Sequence, residues 1–248
     1  MSRANLFLRV PFLTAEWRNL AMLNFAVPRE LLEPLVPDGT VLDTYRGVAY
    51  VSLVGFLFLK TKVLGLPVLF HQRFEEVNLR FYVRRFSGEE WRRGVVFIKE
   101  IVPAFLISAS ARLFYNENYI TCPMRHRTEQ GAERNAFEYE WQFGGCWHRL
   151  EVVSNTRPKA ISPGSLEEFI SHHEWGYTRQ CKGRCLEYRV VHPCWEVAQA
   201  AEATVECDAG AVYGKEFSNV LANRPDSAFA ISGSAVKVYR GKALTAPR

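Results

Sequence analysis

The chain has little that would fix its chemistry by motif. No apolar run approaches the roughly 18 residues that a membrane-spanning helix needs. The longest, Val48 to Leu59, carries Ser52 and Gly55 and reads as a buried strand. Leu6-Phe7-Leu8, broken by Arg9 and Pro11, is too short for the core of a secretory signal, so a cytoplasmic location is expected. Cysteine is sparse, with six in 248 residues and no paired C-x-x-C units, which argues against a zinc ribbon and fits reduced thiols. G-x-S-x-G, a glycine-rich phosphate loop and His-x-x-x-His on a helix are all missing, so serine-hydrolase, nucleotide and zinc-protease readings have no support. A metal or other cofactor is not expected.

Strong charge of one sign is missing too. The formal net charge is +5, and the densest basic segment, Arg84, Arg85, Arg92 and Arg93, flanks Ser87-Gly88-Glu89-Glu90, a hairpin turn by composition. Solvated turn-flanking arginines are the expectation, with neither nucleic acid nor membrane as a partner. There is no internal repeat and no low-complexity tract, and residues 1–248 read as one domain.

Aromatics are abundant: 17 Phe, 10 Tyr and 6 Trp favour strands over helices. Asn19 to Val27 predicts a strand, and Pro28 to Glu33 a short helix with proline at its first turn. Thr40 to Tyr45 and Val48 to Leu59 predict a hairpin around Arg46-Gly47. Pro103 opens a predicted helix over Ala104 to Phe114. Strands near 119–127, 136–143 and 146–154 predict a meander. Ser165-Leu166-Glu167-Glu168 is a capping box before a short helix, and strands near 175–181, 185–191 and 195–207, a helix near 213–222 and a strand from Ala228 to Arg240 complete the chain. The expected fold is mainly β within the α+β class, with curved or barrel-closed antiparallel sheets and a few short peripheral helices.

One strand stands out. In Phe74-Glu75-Glu76-Val77-Asn78-Leu79-Arg80-Phe81-Tyr82-Val83, alternation places Glu76, Asn78, Arg80 and Tyr82 on one face and almost only apolar residues on the other. Such a polar face meets either water or an enclosed polar cavity. The next strand, Val95 to Val102, contains adjacent Lys99 and Glu100, so one of the two joins the apolar side and needs a partner or a shifted pKa. Adjacent His172 and His173 point apart on a strand or turn, which argues against a shared metal.

Trp17-Arg18, Leu32-Glu33-Pro34-Leu35-Val36-Pro37, Val51-Ser52-Leu53-Val54-Gly55-Phe56, Phe74 to Arg80, Gly164 to Phe169 and Trp175-Gly176-Tyr177 together resemble the YqjF-like family, a bacterial domain of unknown function. The resemblance runs from Trp17 to Gly241. A remoter likeness to the acetoacetate decarboxylase-like superfamily implies a β-barrel with a buried site. Those decarboxylases use an arginine before the first strand, a glutamate on a central strand, and a Pro-Lys-Lys whose first lysine forms a Schiff base. By that resemblance Arg18 matches the arginine, Glu76 the glutamate and Arg112 the arginine of the decarboxylase helix. The Schiff-base position falls at or near Tyr119, and no Lys-Lys occurs in this sequence.

The expected ligand is therefore a small carboxylate or carbonyl compound. Arg18, Asn78, Arg80 and Lys99 are expected to bind it, Glu76 to act as acid or base, and Tyr119 to donate to a carbonyl oxygen. A non-catalytic binding or sensing module and a purely structural ion-pair network are the alternatives, and a homo-oligomer is left open.

Overall fold

The computed structural model describes residues 10–68, 72–103, 118–131, 134–180 and 185–244. In chain order the elements begin with β1 (Leu13–Val27), the one-turn helix α1 (Arg29–Leu32) with a 3-10 turn at Glu33–Leu35, β2 (Val41–Leu42), β3 (Ala49–Val63), β4 (Leu66–Pro67), β5 (Phe74–Phe86) and β6 (Trp91–Val102). Next come β7 (Tyr119–Thr121), β8 (Met124–Gln130), β9 (Asn135–Phe143), β10 (Cys146–Ser154), β11 (Lys159–Ala160), the helix α2 (Leu166–Ser171), β12 (Trp175–Arg179) and β13 (Cys185–Val191). The chain closes with β14 (Glu196–Gln199), β15 (Glu202–Glu206), α3 (Ala209–Tyr213), α4 (Ser218–Ala222), β16 (Ser227–Val238) and β17 (Lys242–Ala243). No helix among the described residues is long and apolar enough to cross a membrane.

Two sheets result. Hydrogen bonds link β16, β1, β3, β5, β6, β12 and β13 in that order, and β13 returns to β16 through Val190–Val238 and Val191–Lys237, so the path closes into a ring. A smaller sheet runs β15-β10-β9-β8. The ring sheet has two buried faces. On one, Leu23, Leu53, Leu79 and Phe81 share a core with Phe137, Tyr139 and Trp141 of the small sheet and Phe217 beside α4. On the other, Met22, Val54, Phe56, Tyr82 and Ile231 pack with Phe169 and Ile170 of α2 and with Trp195. The first is the Phe81 face and the second the Tyr82 face.

Two irregularities decide which side chains reach the Tyr82 face. The β1–β3 register shifts between Arg18 and Ala21, at Asn19 with φ 57°, and the β5–β6 register shifts between Leu79 and Arg80, where Ile98 is the extra residue. Each is a β-bulge, which reverses the alternation beyond it. Gly233 accommodates the first: its φ is +82°, and a Cβ there would lie 2.0 Å from the Trp17 carbonyl oxygen. Gly176 on β12 has no side chain because the Tyr188 ring occupies its place, 2.1 Å from where a Cβ would be.

Several expectations need correction. The Thr40–Tyr45 segment does not form a hairpin with β3 beyond a Tyr45–Val48 bridge; β2 pairs with β5 instead. Pairing is not wholly antiparallel, because β6 runs parallel to both β7 and β12. The 195–207 segment divides between the two sheets, and Gly214, at φ 122°, breaks the 213–222 helix so that α3 ends before α4 begins. The turn-flanking arginines are anchors: Arg93 Nε donates to the buried Asp43 at 2.8 Å, and Arg85 and Arg92 each donate to the buried Glu187 at 3.1 Å. Half of the expected capping box forms: Ser165 Oγ accepts from Glu168 N at 3.2 Å, but Glu168 Oε2 accepts from Gly164 N at 2.7 Å, because Ser165 N donates to the Ser162 carbonyl. The predicted helix at Ala104 to Phe114, including Arg112, lies outside the described residues.

Candidate functional site

The alternation of β5 puts Glu76, Asn78, Arg80 and Tyr82 on one face, and all the strands around them supply neighbours. On β3, Phe56 stands beside Glu76, Val54 beside Asn78 and Ser52 beside Arg80. On β6, Glu100 stands beside Asn78 and Phe97 beside Arg80. Parallel pairing then lays Tyr119 of β7 next to Glu100. Glu76, Asn78 and Glu100 are buried, at 3%, 1% and 2% exposure, so polar groups sit within an otherwise apolar surface.

Glu76 is the centre of this group. Its Oε1 accepts from Asn78 Nδ2 at 2.9 Å and its Oε2 from the Tyr119 hydroxyl at 3.3 Å. Burial pushes its pKa up to about 7, against the downward pull of the two hydrogen bonds and the Arg80 charge. Its neighbour Glu75 faces the other way and is bound by His126 of β8 at 2.5 Å. There, burial also raises the pKa, but the His126 hydrogen bond and nearby charges outweigh it and the net shift is downward. Two adjacent carboxyls thus have opposite proton affinities because they occupy opposite faces. A carboxyl that titrates near neutrality can both take and give a proton, and when protonated Glu76 donates to the Tyr119 oxygen, the hydroxyl proton of Tyr119 is free for a carbonyl oxygen.

Beyond Asn78 the row continues. Arg80 Nη2 donates to the Ile170 carbonyl at 3.2 Å, which ties the row to α2. Tyr82 hydroxyl meets Ser52 Oγ at 2.5 Å, Ser52 donates to Asn24 Oδ1 at 2.6 Å, and Asn24 Nδ2 donates to Ser227 Oγ at 3.1 Å, a chain that crosses four strands. His173 lies on Tyr82, with ring centroids 4.8 Å apart, and burial together with the charges of Arg93 and Arg80 holds its pKa well below the ordinary histidine value. His172 next to it is exposed.

Glu76, Asn78, Arg80 and Tyr119 are therefore brought together, but Arg18 and Lys99 are not. Arg18 pairs in register with Leu57, on the Phe81 side of the sheet, and its guanidinium binds Glu16 at 2.9 Å and the Gly233 carbonyl at 3.2 Å. Lys99 pairs with Leu79, also on that side, and its ammonium donates to the Val212 carbonyl of α3. Of the adjacent pair it is Glu100 that joins the Glu76 row. Among the described residues, no group of three or more His, Cys, Asp and Glu side chains is gathered to hold a metal ion. Sequence reasoning missed Ser52 as the partner of Tyr82 and Asn24 as the partner of Ser52. Their signal was an isolated polar residue within each of two strongly apolar strands.

The DUF2071 family, described as "Uncharacterized conserved protein", matches residues 14–235. The chain belongs to that family. "Uncharacterized protein YqjF" of Bacillus subtilis (strain 168) is 31% identical over 110 residues, and this match spans 44% of each protein, less than half the relative's length. The acetoacetate decarboxylase of Legionella pneumophila subsp. pneumophila str. Philadelphia 1 superposes with a TM-score of 0.68 at 11% identity, covering 95% of this chain and 87% of that one. The enduracididine biosynthesis enzyme MppR, in its complex with pyruvate, superposes with a TM-score of 0.67 at 12% identity, covering 95% and 91%. The DUF2071 chain thus has the acetoacetate decarboxylase-like fold.

Proposed function

We propose that the Tyr82 face holds a small carboxylate or carbonyl compound, with Glu76 exchanging a proton with it, Tyr119 donating to its carbonyl oxygen and Arg80 binding its carboxylate. The observation that carries this reading is Glu76 itself, a carboxyl 3% exposed, bound through both oxygens, on the face that also bears Arg80. MppR, which shares the fold, binds pyruvate, and this supports a small oxo acid as the kind of compound to try. The reaction class is a lyase or isomerase step without a covalent amine. A Schiff base is unsupported, because Tyr119 stands where the resemblance puts the reactive lysine and Lys99 faces away from Glu76. One core draws on both sheets, in keeping with a single domain, and Cys122, Cys146, Cys194 and Cys207 are free thiols, in keeping with a cytoplasmic protein.

The second reading, a binding module without turnover, draws on the same missing amine. Incubation with a set of 2-oxo and 3-oxo acids, followed by mass spectrometry, separates the two. Turnover that Glu76→Gln abolishes while binding survives establishes the enzyme; binding without turnover establishes the module; neither binding nor turnover rejects the site. Borohydride reduction in the presence of pyruvate is expected to add no mass to the peptide carrying Lys99, and a stable adduct there would reject the amine-free scheme.

A further inference from the structure

The Tyr82 face carries buried polar atoms that have no hydrogen-bond partner among the described residues: Asn78 Oδ1, Arg80 Nε and both ring nitrogens of His173. Folded proteins pair the great majority of such atoms, so a contiguous group of them calls for an explanation. They are contiguous here. Asn78 and Arg80 are consecutive side chains on one face of β5, roughly 7 Å apart at Cα. The Arg80 guanidinium lies 5.9 Å from the Tyr82 ring, on which His173 is stacked at 4.8 Å. His173 is only 8% exposed.

The unpaired atoms differ in kind, and the differences specify a complement. Asn78 Nδ2 is committed to Glu76, so Oδ1 is left as an acceptor that needs a donor. Arg80 Nη2 is committed to Ile170, so Nε–H is left as a donor that needs an acceptor. Neutral His173 adds one N–H donor and one lone pair. We infer that the row from Asn78 to His173 is a subsite for a small hydroxycarboxylic acid, whose carboxylate accepts from Arg80 Nε–H and the His173 N–H and whose hydroxyl donates to Asn78 Oδ1.

This inference rests on the reading of the Glu76 row as a ligand site and narrows the ligand to an acid bearing a donor close to its carboxylate. A plain carboxylate leaves Asn78 Oδ1 unpaired. An oxo acid sets a second acceptor against it. An amino acid brings an ammonium toward Arg80 and Arg93, whose charges already face His173.

Calorimetric titration of the full chain with lactate, pyruvate, propanoate and alanine, and with malate, oxaloacetate and succinate, tests the assignment. The hydroxy acids should bind about tenfold more tightly than their oxo and deoxy counterparts and than alanine, the effect of one well-made hydrogen bond. Asn78→Leu should level the series while carboxylate binding survives, and Arg80→Gln should weaken every acid by about tenfold or more. Equal affinities in the wild-type series, or tighter binding of the oxo acids or alanine, overturn the hydroxy-acid assignment and leave the ligand site standing. If none of the seven compounds binds, both fall. The comparison within the wild-type protein holds whether or not Asn78→Leu folds.

Discussion

Replacing Glu76 by Gln should change how stability depends on pH, by an amount that follows from the burial of this one carboxyl. The group has an ordinary value of 4.5 when unfolded and about 7 when folded. Between those values the folded chain keeps a proton that the unfolded chain has released, so stability is full below about pH 4.5 and falls as pH rises toward 7. The slope is about 1.4 kcal/mol per pH unit, which across the window amounts to about 3 kcal/mol. Gln has nearly the same shape and no titration; its oxygen can accept from Asn78, and its amide can donate to the Tyr119 oxygen. Urea unfolding of both proteins, followed by tryptophan fluorescence from pH 4 to 8.5, supplies the test. The wild-type stability minus that of Glu76→Gln should decline by about 3 kcal/mol and level off above pH 8. Any constant cost of the substitution shifts the whole curve without changing its fall, and the titrations of groups that do not interact with Glu76 cancel in the difference. A difference that is flat with pH would show that Glu76 titrates normally and would remove its claim to acid–base work.

Tyr119→Phe removes a hydrogen bond that lowers the Glu76 pKa, so the difference curve between Tyr119→Phe and Tyr119→Phe/Glu76→Gln should level off at a higher pH and fall further in total than the curve above; an unmoved plateau would mean the hydroxyl does not hold the carboxylate. Ser52→Ala cuts the Tyr82–Ser52–Asn24 chain and leaves two buried polar groups without their partner, at an expected loss of about 1–3 kcal/mol in urea unfolding. Gly176→Ala sets a methyl against the Tyr188 ring and should destabilise by about 1–3 kcal/mol by the same measurement, whereas an unchanged midpoint would mean that Tyr188 has room to turn aside.

Much of the fold was legible because strands advertise themselves by a period of two. The aromatic content gave the class, and the Glu76, Asn78, Arg80, Tyr82 row came straight from alternation. Ring closure was not legible, since nothing local in Val190 or Val238 marks them as partners. Arg18, expected by resemblance, and Lys99, whose face the alternation left open, stand apart from Glu76 for one shared reason. Asn19 interrupts β1, so Trp17 and Leu20, three residues apart, both reach the Tyr82 face and leave Arg18 on the other side. Ile98 does the same in β6, so Phe97 and Glu100 share a face and Lys99 does not. Alternation is a safe guide only between bulges, and bulges leave no reliable mark on composition.

The bulge at Ile98 also says something about how this chemistry could change over time. With Phe97 still beside Arg80, moving the extra residue a short step along β6 would pair Ile98 with Leu79 and Lys99 with Asn78, exchanging a carboxyl for an amine next to Glu76 without altering a single amino acid of the strand. Acidic and amine-bearing versions of this surface are neighbours in register space. A lineage could cross between them by mutating only what pins the kink.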